Sequence, residues 1–290
     1  MLLEDNNFMC SLFSFFPQFS LVGSVFIDFI QFLHQLAMDK WIGKIAVVTG
    51  ASSGIGAAIV KDLAQNGLTV IGLARRSEKV DEIAAELSSA SGKIYSRKCD
   101  IGDLNSIKET FMWIEKKFQK VNILINNAGL AYIGGVLDSS EDQTTKLNEI
   151  INVNFTGLVH TTRESFRLMK ASNEYGMIIN ISSVLDSVIP FPTRSLVYPA
   201  TKHAVRALTE IIRQELIVGE NDKIKVSNLS PGIVETNIVS AAGLENADQF
   251  YKSVACLQPR DISAGVLYLL GTPHNVNVTQ LTIKPVGEKL

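Results

Sequence analysis

Tyr198 and Lys202 stand four residues apart, so on a helix the ammonium and the phenol share one face. A tyrosine hydroxyl ionises near pH ~10, and to exchange a proton at neutral pH it needs an electropositive neighbour and a fixed hydrogen-bond partner. Lys202 supplies the charge. Drawing the phenol down by about 3 units amounts to roughly 4 kcal/mol in favour of phenolate. Taken singly, such a pair is an ordinary surface feature, but this one has company. The run Asn180-Ile181-Ser182-Ser183 ends a strand-like segment fifteen residues upstream, and a glycine-rich turn lies earlier in the chain.

That turn is Gly43 to Gly56, Gly-Lys-Ile-Ala-Val-Val-Thr-Gly-Ala-Ser-Ser-Gly-Ile-Gly. Ile45 to Val48 read as a strand covered on both faces, and helical periodicity runs from Ala57 to Leu68. Gly50, Gly54 and Gly56 lie between them, where side chains would block a tight turn, a close backbone approach to a pyrophosphate, and packing of helix on strand. The N–H groups of the first helical turn then face phosphate oxygens.

Elements alternate from Lys44 onward. Strands are expected near 44–49, 69–74, 93–99, 121–126, 176–182, 224–230 and 280–284. Helices are expected at 55–66, 79–89, 104–118, 142–171, 198–218 and 260–270. The pattern predicts a single α/β domain, a Rossmann-like, doubly wound parallel sheet with helices on both faces. Right-handed crossovers give the strand order 3-2-1-4-5-6-7. Ligands of such a sheet bind at the carboxyl ends of strands, beside the switch in strand order. Ala74-Arg75-Arg76 follows strand two, about 20 residues past the glycine turn, where an acid would bind the ribose 2′-hydroxyl of NAD. Arg75 and Arg76 instead form a fork for a 2′-phosphate, which favours NADP. Cys99-Asp100-Ile101 follows strand three and offers a carboxylate to an adenine amino group, with Asp103 a competing helix cap. Asn126-Asn127-Ala128-Gly129 follows strand four.

Composition narrows the field. With 290 residues, 46% of them hydrophobic, the chain can bury a large core. A formal charge of −2 without a basic cluster argues against nucleic acid as a partner. Cys10, Cys99 and Cys256 are too scattered for a disulfide framework or metal site, and fit a reducing, cytoplasmic compartment. His34, His160, His203 and His274 form no metal-binding spacing, and Ser183 lies in no Gly-x-Ser-x-Gly elbow. Met112, Trp113 and Phe118 fall at helical spacing and read as core or subunit contacts.

Residues 1–37 stand apart from the domain expected over 38–290. Leu12 to Leu33 is apolar but interrupted by Pro17, Gln18, Ser20 and Asp28, and Glu4 and Asp5 stand where a signal peptide needs positive charge. Three readings stand side by side: a membrane anchor, a loosely docked leader, or sequence ahead of a true start at Met38.

Taken together these motifs resemble the short-chain dehydrogenases/reductases across nearly all of Lys44 to Pro285. The resemblance is carried by Thr49-Gly-Ala-Ser-Ser-Gly-Ile-Gly, Asn126-Asn-Ala-Gly, Asn154 within Asn-Val-Asn-Phe-Thr-Gly, Tyr198-Pro-Ala-Thr-Lys202 and Pro231-Gly232. It implies Tyr198 as catalytic acid/base and Lys202 as its tuner, with a hold on the nicotinamide ribose. It also implies Ser183 at the substrate oxygen and Asn154 holding a water in a proton relay. The Ser183–Tyr198 interval is two residues longer than the commonest family spacing, so Ser182 stays beside Ser183 as a candidate. For the cofactor it implies Gly50, Ser52, Ser53, Gly54, Ile55, Gly56, Arg75, Arg76, Asp100, Ile101, Asn127, Ala128 and Gly129. Pro231, Gly232, Ile233 and Thr236 would clasp the nicotinamide. A homodimer or homotetramer follows from the same resemblance.

Leu130 to Ile133, Val184 to Phe191 and a lid from Ile238 to Phe250 are expected to wall the substrate pocket, with Asp186 and Arg194 the nearest charges. Apolar walls point to a hydrophobic alcohol or carbonyl, and the resemblance puts a farnesol-like isoprenoid ahead of a steroid or aliphatic substrate. A non-catalytic NADPH-binding sensor is the alternative of another class, but it has no use for the Ser, Tyr, Lys and Asn set.

Overall fold

Seven parallel strands form one sheet in the order β3-β2-β1-β4-β5-β6-β7 in the computed structural model, which describes residues 38–289. The chain divides into two units, Met1–Lys40 and Trp41–Leu290, and all that follows concerns the second. The three readings of residues 1–37 lie outside the described residues.

The strands are β1 Ile45–Thr49, β2 Thr69–Ala74, β3 Lys93–Lys98, β4 Ile123–Asn126, β5 Gly176–Ile181, β6 Ile224–Pro231 and β7 Gln280–Ile283. The continuous apolar runs occupy the middle of the sheet. Every residue of β1, β4, β5 and β6 is buried, whereas the edge strands β3 and β7 are partly open. Helices α1 Gly54–Gln65, α2 Ser77–Glu86, α3 Leu104–Phe118, α4 Glu141–Ile151, α5 Leu158–Ser172 and α6 Tyr198–Val218 fill the crossovers. The short α7 Ile238–Ala241 and α8 Ala247–Ser253 follow, then α9 Pro259–Gly271. On α1 the residues Ile59, Val60, Leu63 and Ala64 face the core. α9 starts at Pro259 under a capping box in which Gln258 N–H donates to Asp261 at 2.7 Å.

The expected helix at 142–171 is not continuous. A π-helical segment, Asn152–Gly157, separates α4 from α5. Hydrophobic periodicity hides it, because one extra residue in a turn leaves the apolar stripe in place on either side. The expected strand at 121–126 begins at Ile123. Asn122 is taken up by Ile45 N–H, which donates to its Oδ1, and by Glu174, which accepts from its Nδ2. Trp113 and Phe118 pack against the core, while Met112 is 59% exposed and belongs to no core.

Glu174 ties three strand starts together. It accepts from Lys44 at 2.7 Å, Lys120 at 2.6 Å and Asn122 at 2.9 Å. Hydrogen bonds from Lys120 and then Lys44 hold its carboxyl down at about 2. Because the folded value lies below the ordinary 4.5, the group contributes stability above that value and loses it as the pH falls through about 2. Glu174→Gln is expected to cost about 1 kcal/mol at neutral pH, since the group is partly open to water. Denaturant unfolding should show that deficit shrinking between pH 4.5 and 2.

Candidate active site

The carboxyl ends of β1, β2, β4, β5 and β6 open into one cleft of about 530 Å³. Its floor is the glycine turn. Gly50 and Gly54 adopt φ of +66° and +53°. A Cβ on Gly56 would lie 2.2 Å from the Gly50 carbonyl oxygen, so the turn closes only on glycine. Ser53 precedes α1 in an extended conformation and makes no side-chain cap bond, and no acid stands in the first turn. The orphan N–H groups of that turn are free to receive an anion. Thr49 braces the turn from β1, where its hydroxyl oxygen accepts from the N–H groups of Asn127 and Ala128, both at 3.0 Å. Asn127 Nδ2 returns donations to the carbonyls of Thr49 at 2.9 Å and Gly50 at 3.2 Å.

Ser52, Ser53, Gly54, Ile55, Arg75, Arg76, Asp100, Ile101, Ala128 and Gly129 line the cleft, as do Ser183, Tyr198, Lys202, Pro231, Gly232 and Thr236. Both arginines are exposed at the end of β2, and neither forms an ion pair among the described residues. Asp100 accepts from Gly102 N–H at 2.9 Å, while Asp103 caps α3 by accepting from Asn105 N–H at 2.9 Å. A cradle that admits no Cβ and an uncapped helix start fit the phosphates of a dinucleotide, with the two arginines open to solvent at the end of β2.

Gly56 does not line the cleft but packs beneath the turn, where helix must seat on strand as expected. Two expected residues are placed otherwise. Ile233 donates its N–H to Glu288 at 3.2 Å, and its carbonyl accepts from Leu257 N–H at 2.8 Å, so its main chain is spent on the C-terminal segment and the Leu257 strap. Asn154 is buried in the π segment, with its Oδ1 accepting from Leu130 N–H at 2.7 Å. Its Nδ2 donates to the Leu130 carbonyl at 2.9 Å and the Thr201 hydroxyl at 3.2 Å.

Tyr198 opens α6, and Pro199 behind it occupies the first turn, where a missing N–H costs little. Ser183 lines the cleft with Tyr198, and its hydroxyl favours the ionised phenol. Ser182 is turned away, its hydroxyl donating to the Lys202 carbonyl at 3.4 Å. Lys202 is 5% exposed, donates to the Ile181 carbonyl at 2.9 Å, and holds Nζ 5.5 Å from the Tyr198 ring centroid. Burial pushes the Lys202 ammonium down to about 8. In the ligand-free protein, without the positive charge of an oxidised nicotinamide on which the expected shift also drew, Lys202 alone does not draw the phenol downward. Burial pushes Tyr198 up to about 12, against the lowering effect of the Ser183 hydroxyl. Taking a phenolate out of water outweighs the neighbouring lysine, whose ammonium, pushed down to about 8, is already neutral at the pH where the phenol ionises.

The pocket walls also differ in part from expectation. Leu130, Ala131 and Tyr132 line the cleft with Ile238 and Ala241, but nothing between Val184 and Phe191 does. Asp186 is 2% exposed beneath the cleft, and Phe191 points to solvent. Tyr251 of α8, missed in sequence because its segment carries no motif, donates its hydroxyl to the Thr236 carbonyl at 2.8 Å and accepts from Thr236 N–H at 3.3 Å. Thr236 is thereby pinned over Gly54, its methyl 3.1 Å from where a Cβ there would stand.

The family described as short chain dehydrogenase matches residues 44–247. The chain belongs to the short-chain dehydrogenase family. This short-chain dehydrogenase is 46% identical over 254 residues to a farnesol dehydrogenase of Aedes aegypti, covering 87% of this chain and 100% of that protein. It is 38% identical over 258 residues to the human dehydrogenase/reductase SDR family member 11, covering 87% of this chain and 97% of that one. Its fold superposes with a TM-score of 0.72 on an alcohol dehydrogenase from the archaeon Thermococcus sibiricus complexed with 5-hydroxy-NADP, at 29% identity. That likeness covers 85% of this chain and 98% of that one. The chain is accordingly an oxidoreductase of a family that acts on small molecules. Among the described residues no group of His, Cys, Asp and Glu is placed to hold a metal, and no helix is long and apolar enough to cross a membrane.

Keeping an ammonium at this depth should cost the short-chain dehydrogenase stability. Lys202 titrates near 8 when folded and near 10.5 when unfolded, so the cost is fully felt below pH 8 and fades as the pH climbs towards 10.5. Lys202→Met is expected to raise the melting temperature of the ligand-free protein at pH 7 by roughly 2–4 °C, the effect of about 1 kcal/mol in a domain of this size. The advantage should shrink in alkaline buffer. A less stable variant at pH 7 would contradict the buried-cation reading.

Proposed function

We propose that this protein is an NADP(H)-dependent oxidoreductase that interconverts a hydrophobic alcohol and its carbonyl, with a farnesol-like isoprenoid the first candidate and steroids or aliphatics behind it. The observation that carries this reading is that Ser183, Tyr198 and a buried Lys202 line the same cleft as the glycine cradle and the free Arg75–Arg76 pair. When bound, the cofactor supplies hydride exchange at its nicotinamide ring. The chain's own residues handle the oxygen and the proton.

Ser183 holds the substrate oxygen at the hydroxyl of Tyr198. A phenol pushed up to about 12 is fully protonated at neutral pH and gives its proton to a carbonyl oxygen as that oxygen gains charge. In the oxidative direction the same oxygen takes the alcohol's proton only as a phenolate, a form favoured by Lys202 together with the positive charge of the bound oxidised cofactor. The Asn154 amide is occupied by Leu130 and Thr201, so its part in a relay falls to the main-chain carbonyls of the π segment, where the ladder of hydrogen bonds is displaced. Thr236, pinned by Tyr251, closes over the cradle. Substrate is received between the Leu130–Tyr132 loop and Ile238 and Ala241, where buried hydrocarbon gains about 25 cal/mol per Å². The 46% identity to an insect farnesol dehydrogenase supports the choice of isoprenoid.

Turnover of reduced and oxidised NADP and NAD along alcohols and carbonyls of rising chain length tests this reading. NADP(H) should be preferred, kcat/KM should climb with apolar length, and Tyr198→Phe should lose on the order of 10²–10⁴-fold in kcat with cofactor affinity retained. Replacing Arg75 and Arg76 and placing an acid at Ala74 should move the preference towards NADH. An active Tyr198→Phe, or a wild type indifferent to the 2′-phosphate, would overturn it.

A further inference from the structure

Beneath the catalytic pair lies a carboxylate that the reaction as described leaves unused. Asp186 closes a 3₁₀ turn, Val184–Asp186, that begins at Ser183. Its N–H donates to the Ser183 carbonyl at 2.9 Å, and the Ser183 hydroxyl accepts from Leu185 N–H at 3.1 Å. The Asp186 side chain is 2% exposed, accepts from Asn228 Nδ2 at 2.7 Å, and receives the Ser230 hydroxyl in a short hydrogen bond. Gln280 of β7 joins the same cluster, donating to the Ser230 hydroxyl at 2.8 Å and accepting from Asn228 at 2.8 Å. Arg206, one turn beyond Lys202 on α6, brings Nη1 to 3.7 Å from the carboxylate and is half-exposed.

We propose that Asp186 is a positioning residue of the active site: it ties the turn bearing Ser183 to β6 and β7, and its buried charge, paired with Arg206 one helical turn from Lys202, acts on Lys202 through space. The proposal rests on the assignment of Tyr198 and Lys202 made above. A tie between turn and strand needs only an acceptor, and a neutral amide would serve. A buried carboxylate carries a desolvation cost that is offset only where its charge is used. Arg206 balances that charge from its half-exposed side, and Lys202, whose only hydrogen-bond acceptor among the described residues is the Ile181 carbonyl, also lies within its field.

Burial drives Lys202 down, and the charge of Asp186 opposes that fall; burial drives Tyr198 up, and Asp186 adds to the rise. The pair is thus held as ammonium and phenol, the protonated state of both. Several other charged groups around α6 have partners of their own, among them Glu210 and Arg213, which pair with each other on the helix. On α4, Lys146 pairs with Asp142, and Glu149 accepts from Tyr132. On β6, Lys225 donates to Thr272, Pro273 and Val276. On α6 itself His203 is bonded to the Pro199 carbonyl, and across the cleft Asp100 accepts from Gly102.

The test is an NMR titration of the Lys202 side chain in the ligand-free protein, assigned by its loss in Lys202→Met, set beside the pH profile of kcat/KM. Asp186→Asn should lower the Lys202 midpoint by about half a pH unit or more, and the alkaline limb of the profile should fall with it. Arg206→Gln, which strips the carboxylate of its cation, should move both upward. Asp186→Glu should restore the midpoint but not kcat, because the charge returns while the Ser183 turn is displaced. A folded Asp186→Asn with an unmoved midpoint overturns the proposal. If that variant does not fold, an unmoved midpoint in Arg206→Gln overturns it instead. An inactive Tyr198→Phe alongside a wild-type Asp186→Asn defeats this proposal alone, whereas an active Tyr198→Phe defeats the catalytic reading beneath it.

Discussion

Lys202 keeps its ammonium almost wholly out of water, anchored on the Ile181 carbonyl at 2.9 Å. A charge at that depth must be bonded and countered, or it is given up. Much of the architecture around the strand ends answers to this. β5 delivers the carbonyl, α6 delivers the lysine one turn after Tyr198, and the turn after β5 delivers both the Ser183 hydroxyl and the Asp186 carboxylate. Parallel strands make the arrangement possible, because they bring several chain segments to the same edge of the sheet with their functional residues just past the last ladder bond.

Buried amides and hydroxyls then fix the surrounding geometry. Asn126 Nδ2 donates to Thr162 and to Asn180, both at 2.9 Å, and Asn180 donates in turn to Thr209 of α6 at 2.9 Å. Those contacts stitch β4, β5, α5 and α6 into one piece below the cleft. Above it, Thr49 and Asn127 lock the glycine turn to the end of β4, and Asn154 locks the Leu130 loop to the π segment. Such networks are costly when incomplete and rigid when satisfied, which suits a site that must hold a proton donor to within fractions of an ångström.

Sequence reveals the parts of this whose physics is local. The apolar runs of β1, β4, β5 and β6, the glycine turn and the i, i+4 pair are each visible within a few residues, and the strand order follows from handedness. What it conceals is set across the chain. The π segment leaves periodicity intact. Ile233 reads as a nicotinamide contact until Glu288, far along the chain, takes its N–H. Asp186 reads as a charge on the pocket wall, because nothing nearby says that Asn228 and Ser230 wait for it. The direction of the Tyr198 shift is hidden for the same reason: spacing shows the neighbouring cation but not the depth at which the phenol is buried.

The central claim is that burial, not the lysine, dominates the phenol, so the ligand-free site is a proton donor held beside a weakened cation. Its most direct test is a pH titration of ring-labelled tyrosine by NMR in the ligand-free protein, with Tyr198 assigned by its loss in Tyr198→Phe. The account predicts a midpoint near 12, above the ordinary value of 10. A Tyr198 phenol that titrates below 10 without ligand would contradict it.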